Sequence, residues 1–378
     1  MDEELSGIAA LAGNFRDREL RTRWEELDAP SGEMLGALLG RVAALGFFSL
    51  AFDDGAGGGI SACAAFIGEI SRGCPALAAA LASHVAAAAP TALSRGTRGA
   101  DEVIAGVRAR EASGEPALMT PAWMEEDVFA GGGLAAGRME TALRESGDGF
   151  SLSGRKLFVP AAEQAAYIVV AASLDGGGTA WAVVPGGAPG VTAERAREMM
   201  GLRLCPFSDV EFDGVKVPRG WVFAGGALDD PALVFSRSDA CLGAVALGMA
   251  EEALDAALKY SVSRYQGGGM ICDHDAVREM LAGTALGIEA SGALAAAGAK
   301  TTAEPRTGGS TAVLGAVAAA DAAVRAALDA VQTLGGYGYM RDYRVERILR
   351  DAKTFQNTVV LPRARTMEHV RRLIQKMR

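Results

Sequence analysis

The sequence has 378 residues, half of them hydrophobic but only 6% aromatic, and a formal net charge of −9. Single cores stop growing near ~250–300 residues, so more than one domain is expected. The charge is spread along the chain, which excludes the basic patch of a nucleic-acid surface; the three histidines (84, 274, 369) and five cysteines (63, 74, 205, 241, 272) show neither metal-ligand spacing nor a CxxC pair.

Residues 1–115 read as a helical domain. "MDEELSG" is acidic and lacks the basic and apolar segments of a signal peptide, so a cytoplasmic location is expected. "GEMLGALLGRVAALGFFSL" (32–50) has apolar residues at helical spacing, and "FDDGAGGGIS" (52–61) is a Gly-rich loop opening another helix. "PALAAALASHVAAAAPTAL" (75–93) is mostly alanine and is interrupted by Ser, His and Pro. A membrane span needs ~20 strongly apolar residues, so this run is expected to be a buried helix.

Residues 116–227 read as a β domain. "AAYIVVAAS" and "AWAVVPG" are short β-branched runs bounded by turn residues. In "SDVEFDGVKVPRGWVF" the residues Val210, Phe212, Val215 and Val217 fall at strand spacing. "FAGGGLAAG" (129–137) has the composition of a phosphate-binding loop, but its glycines do not follow the GxGxxG pattern.

Residues 228–378 return to helical periodicity, in segments 236–265, 274–300, 310–336 and 362–377. Ser310 is the expected N-cap of the third and Gly335 stands at its C-terminal end. The free cysteines are expected to be buried thiols.

The most specific stretch is "AVQTLGGYGYMRDYRVERILRDAK" (330–353). It contains Gln332, Gly335, Gly336, Gly338 and Tyr339, then Tyr343, Val345, Glu346 and Arg347, then Arg350, Asp351, Ala352 and Lys353. This pattern resembles the acyl-CoA dehydrogenase family, whose C-terminal domain carries Q-x-x-G-G-x-G-Y, Y-x-V-E-R and R-D-A-K. "LGFFSLAFDDGAGGGIS", "TALRESGDGFSLSGRK", "DVEFDGVKVPRGWVF" and "LGMAEEALDAALKYSVSRYQGG" resemble further family landmarks, in order, over nearly the whole chain.

The resemblance implies a mainly α chain: an N-terminal helical domain, a middle β barrel and a C-terminal four-helix bundle. It implies FAD between the β domain and the bundle, partly held by a neighbouring subunit. Carried over by position, Arg264 meets the FAD pyrophosphate, Gln332, Gly335 and Gly336 line its adenosine side, Thr120 touches the flavin, and Phe158 packs on the isoalloxazine. An arginine suits a diphosphate through its fixed charge and fork of donors. The implied substrate is an acyl-CoA or acyl-carrier-protein thioester and the implied acceptor an electron-transfer flavoprotein. The implied assembly is a homodimer or homotetramer.

Three places depart from the pattern. Phe158-Val159-Pro160 replaces the family's W-I-T, and proline has neither a hydroxyl nor an N–H to donate. "LMTPAWMEEDVF" lacks the Gly-Ser-Asp that follows T-E-P. Val359 occupies the position of the glutamate that takes the α-proton, and valine accepts no proton. One subset of the family draws its base from the first C-terminal helix, where this chain has Ser238 and, beside it, Asp239. The alternatives are a base-less partner subunit of a heteromeric enzyme, or a related flavoenzyme with different chemistry.

Overall fold

The computed structural model describes residues 2–53, 58–126, 139–175, 177–301 and 309–378. Six helices come first: α1 (Asp2–Phe15), α2 (Gly32–Ala43), α3 (Phe47–Leu50), α4 (Gly58–Gly73), α5 (Pro75–Leu93) and α6 (Arg98–Ala112). Ser31 caps α2 by accepting the Met34 N–H at 3.1 Å. Gly46, at φ +77°, supplies the left-handed residue that separates α2 from α3. The alanine-rich run forms α5, and every residue from Pro75 to Ala92 is buried. By length and composition it could cross a membrane, as could Leu233–Ser261, Asp275–Ala299 and Thr311–Tyr339; 89% of the α5 stretch is buried inside the protein.

Eight strands follow: β1 (Met119–Ala122), β2 (Ala142–Ser146), β3 (Gly149–Pro160), β4 (Tyr167–Leu174), β5 (Thr179–Pro185), β6 (Val191–Ala193), β7 (Phe207–Pro218) and β8 (Val222–Phe223). They form a mixed sheet in the order β6-β7-β3-β2-β4-β5-β8, with β1 parallel to β4. The middle domain expected as a barrel thus takes the form of a path of pairings from β6 to β8. In β7 the buried residues Val210 and Phe212 change phase to Val215 and Val217. The cause is a bulge, because Leu152 pairs with Val215 while Gly154 pairs with Phe212.

The remaining elements are α7 (Pro231–Ser261), a hairpin of β9 (Tyr265–Gln266) and β10 (Gly269–Met270), α8 (Asp275–Thr301), α9 (Gly309–Leu334), α10 (Val345–Phe355) and α11 (Pro362–Met377). The C-terminal part therefore has five helices among the described residues, not four: the R-D-A-K segment forms its own helix, α10. Helix α9 is described from Gly309, so Ser310 lies inside it. Gly335 closes α9 in the left-handed conformation, at φ +59°.

Small residues set the helix spacing. A Cβ at Gly248 of α7 would stand 2.4 Å from the Gly68 carbonyl oxygen and 2.7 Å from Ser71 Cβ on α4. Gly315 of α9 similarly backs onto the Ala295 backbone of α8 at 2.7 Å. Gly248→Val is therefore expected to destabilise by about 1–3 kcal/mol through overpacking. Gly283 has nothing within 4 Å, so Gly283→Ala should be neutral or stabilise by up to about 1 kcal/mol. Denaturant midpoints of the two variants check the contrast.

Candidate functional site

Helix α10 carries the most specific motif, and its side chains join all three domains. Arg347 donates to the carbonyls of Trp24 and Leu27. Arg350 holds Asp28 at 2.7 and 3.0 Å, Glu346 at 2.7 and 3.0 Å, and the Met200 carbonyl at 3.0 Å. Asp351, 1% exposed, accepts the Leu202 N–H at 2.6 Å, and Thr354 accepts that of Gly201 at 3.0 Å. A Cβ at Gly201 would stand 2.3 Å from the Arg350 carbonyl oxygen, so only glycine lets the middle domain come this close. These residues tie α10 to the N-terminal and middle segments.

After α9 the chain opens a cavity of about 520 Å³. Arg264, Gly335 and Gly336 line it, as do Tyr260, Gln266 and Tyr337. The Arg264 guanidinium lies 5.6 Å from the centre of the Tyr337 ring, and among the described residues no carboxylate lines the cavity. The Tyr337 ring leans on Tyr343 at 5.1 Å and on Tyr260 at 6.3 Å. Cβ atoms at Gly335 and Gly336 would meet nothing of this chain. Gln332 is exposed and does not line the cavity; its neighbours Thr333 and Leu334 do.

The residues expected at the flavin ring are engaged elsewhere. Thr120 of β1 is wholly buried and donates its hydroxyl to the Pro160 carbonyl. Phe158 stands at a bulge in β3, at φ +52°, with Arg197 4.5 Å from its ring centre. Its N–H donates to Asp209 at 3.2 Å, and Asp209 also accepts Arg197 at 2.6 and 3.0 Å. Burial opposes the Asp209 charge, but these donors outweigh it and hold the carboxyl below the usual carboxylate range.

Val359 is half-buried in a wide helical turn, Gln356–Val360, and packs on the core. Asp239 of α7 is wholly buried, and Arg365 of α11 donates to its Oδ1. Burial raises the Asp239 pKa against the opposing pull of Arg365, and its Oδ2 has no hydrogen-bond partner among the described residues. The Ser238 hydroxyl donates back to the Phe235 carbonyl at 2.8 Å. One oxygen of the carboxylate offered by the sequence as a base is thus taken by Arg365, a pairing the sequence gives no means to foresee, since Arg365 lies 126 positions away.

Two further buried polar groups flank β1. Glu125 and Lys156 form an ion pair at 2.5 Å, with 6% and 0% exposure. Glu125 also accepts the N–H groups of Glu140 at 2.7 Å and Thr141 at 3.2 Å. His84 of α5 accepts the Met119 N–H of β1 through Nδ1 at 3.0 Å, which leaves Nε2 to donate to the Phe48 carbonyl at 3.0 Å. The Gly-rich segment 129–137 lies outside the described residues. Cys63, Cys74, Cys205 and Cys241 are buried free thiols, and burial pushes Cys205 up to about 12, far from a reactive thiolate. Among the described residues no cluster of His, Cys, Asp or Glu has the arrangement of a metal site.

The residues expected to hold FAD therefore separate into two groups. Arg264, Gly335 and Gly336 line one cavity with the charge, aromatic walls and space that an adenine nucleotide and its diphosphate need. Thr120 and Phe158, expected at the flavin ring, lie elsewhere: the Thr120 hydroxyl donates to the Pro160 carbonyl, and the Arg197 guanidinium stands over the Phe158 ring.

Comparison with known proteins matches three family models along the chain. They are the acyl-CoA dehydrogenase N-terminal domain at residues 2–102, the middle domain at 129–215 and the C-terminal domain at 232–358. Cyclohexane-1-carbonyl-CoA dehydrogenase of Geobacter metallireducens is 34% identical over 235 residues, covering 60% of this chain and 61% of that protein. A subunit of the caffeyl-CoA reductase-Etf complex of Acetobacterium woodii is 28% identical over 365 residues, 93% of each chain. Butyryl-CoA dehydrogenase from Megasphaera elsdenii superposes with a TM-score of 0.87 over 99% of both chains at 24% identity, which shows the shared fold.

Proposed function

Because this chain belongs to the acyl-CoA dehydrogenase family of FAD-dependent oxidoreductases acting on CH–CH donors, we propose that it serves the α,β-oxidation of an acyl thioester. The thioester carbonyl acidifies the α-proton, and a positioned carboxylate has to remove it. FAD, the cofactor of the family, would be held at its diphosphate end by Arg264 beside Gly335 and Gly336, and when bound would supply the hydride acceptor. The observation that carries this reading is the Arg264 cavity, whose fixed positive charge and aromatic walls suit a nucleotide diphosphate.

The acyl carrier is CoA or a carrier protein, and the electron acceptor is an electron-transferring flavoprotein. The active assembly is a dimer or a dimer of dimers. Much of α8 is uncovered within one chain, with only 28% of its apolar stretch buried, which supports burial against another subunit. A cytoplasmic location fits this assembly.

The Asp239–Arg365 pair supports a positioning role for Asp239, holding α11 on α7. Asp239→Asn is expected to lower the melting temperature and to leave reduction of bound flavin by the acyl thioester intact. Loss of reduction at unchanged stability would make Asp239 the base. The function itself is tested on the assembly isolated from its host, by anaerobic titration with a panel of acyl-CoAs. Bleaching of the visible flavin band by at least one of them is expected. A flavin that dithionite reduces but no acyl thioester does would overturn the reading.

A further inference from the structure

We propose that a small cavity between α4, α7 and α10 binds a single halide ion, chloride, held by Arg344 together with Arg72 and Arg347. The site shares no lining residue with the Arg264 cavity and stands whether or not the acyl-thioester reading does.

The cavity has a volume of about 10 Å³, room for one water-sized particle and far too little for a phosphate or a nucleotide. Segments far apart in sequence build it: Ser71 and Arg72 of α4, Glu252 of α7, Arg347 and Asp351 of α10, and Arg344 just before α10. Arg72, Arg344 and Arg347 bring three cations to its wall, Glu252 and Asp351 two carboxylates.

The carboxylates do not cover the cations evenly. Asp351 and Arg347 stand 3.3 Å apart and face each other's charge. Glu252 is shared by three guanidiniums, those of Arg21 at 3.2 Å, Arg344 at 3.4 Å and Arg72 at 3.8 Å. Arg21 has a second carboxylate in Asp17, and Arg72 has two more in Glu251 and Asp255. Among the described residues Arg344 has Glu252 alone, and its guanidinium makes no hydrogen bond. Burial lowers the Arg344 pKa, Arg347 and Arg21 add to the effect, and Glu252 opposes it only in part.

Hydrogen-bond donors are in surplus as well. The Nε–H groups of Arg72 and Arg347 are buried without a hydrogen-bond partner among the described residues. The terminal nitrogens of both side chains are spent, those of Arg72 on Glu251 and Asp255 and those of Arg347 on the Trp24 and Leu27 carbonyls. The unpartnered acceptor at the wall is Asp351 Oδ2, and Arg347 already faces its charge. A buried donor left unmet is costly, and an anion accepting from these guanidiniums removes the cost.

The backbone at Arg344 points the same way. It stands at φ +55°, a conformation that persists in a non-glycine residue where the surroundings hold it. Glycine would adopt it freely, so the use of an arginine here lies in its side chain.

The test uses the purified full chain. Its melting temperature is followed as sodium chloride replaces sodium gluconate at constant ionic strength. A rise that grows with the logarithm of chloride concentration is expected, because a ligand of the folded state alone stabilises that state. Arg344→Gly, whose backbone suits the left-handed conformation, should fold and should weaken chloride affinity about tenfold or more, the worth of a hydrogen bond to a charged group. Arg344→Lys should keep part of the response. Crystals grown in sodium bromide should show an anomalous peak in the cavity, a reading that needs no variant. A cavity holding only water in those crystals overturns the proposal. So does a chloride response that the parent and Arg344→Gly share, and so does a bromide peak without a chloride response in solution, which would mark binding at crystal concentration only.

Discussion

Glu125→Gln is expected to destabilise the protein by about 3–5 kcal/mol, because it strips the counter-charge from a buried ammonium. Lys156 is wholly buried, and Glu125 is its one ion-pair partner among the described residues. Burial alone would push the Glu125 carboxyl up; Lys156 and two N–H donors more than offset that and hold it below the usual range. The Glu140 and Thr141 N–H groups fall on different oxygens of Glu125, and glutamine keeps only one of these acceptors, so the variant removes the charge together with one hydrogen bond. Burial already draws Lys156 down from the ordinary lysine value. The deficit should therefore shrink as pH rises and the unpaired amine goes neutral. Adding Lys156→Met, similar in volume and uncharged, should recover most of the loss. Denaturant unfolding of the two single variants and the double variant reads this out. A Glu125→Gln protein within about 0.5 kcal/mol of the parent, the scatter of ordinary surface substitutions, would show that the pair contributes nothing.

The second large effect is a pH dependence centred on His84. Burial drives its pKa down from 6.5 to about 4, against a small opposing contribution from the Phe48 carbonyl. Above pH 6.5 the imidazole is neutral in the folded and unfolded chains, and its contribution is level. As pH falls, the unfolded chain takes up the proton first, so unfolding gains. Stability should drop by about 3 kcal/mol between pH 6.5 and 4, because each tenfold difference in proton affinity between the two states is worth about 1.4 kcal/mol. His84→Gln removes the titrating group, and its stability should vary less with pH over that window. Parallel slopes for parent and variant would refute the assignment. The consequence reaches the site, because His84 holds the Met119 N–H and thereby the strand that carries Thr120.

The order of helices, strands and helices was legible from periodicity where a segment buries one repeating face, as β7 does, and from composition where it is buried all round, as α5 is. The breaks were less so. Helix α10 hid inside a motif whose charged residues turn inward on other domains, and no local pattern announces that Arg350 reaches Asp28, 322 positions earlier. That Arg264, Gly335 and Gly336 share one cavity was legible because glycines and one arginine carry a recognisable spacing; Gln332 does not line it. The surroundings of Phe158 and Asp239 were not, because Arg197 and Arg365 come from other segments. The sequence reports what a position lacks, such as a carboxylate at 359, but not what has moved in to cover its neighbours.

Helix α5 has a consequence for motion as well as packing. Ten of its nineteen residues are alanine, a side chain that loses no rotamer freedom when buried, where a leucine loses about 0.5–1 kcal/mol. The chain fixes this helix at little cost in side-chain entropy. The same feature makes it a stiff backing for β1. A wall of leucines could adjust by hopping between rotamers, but a wall of alanines has none to exchange. The strand carrying Thr120 can then shift only if the helix behind it moves as a body.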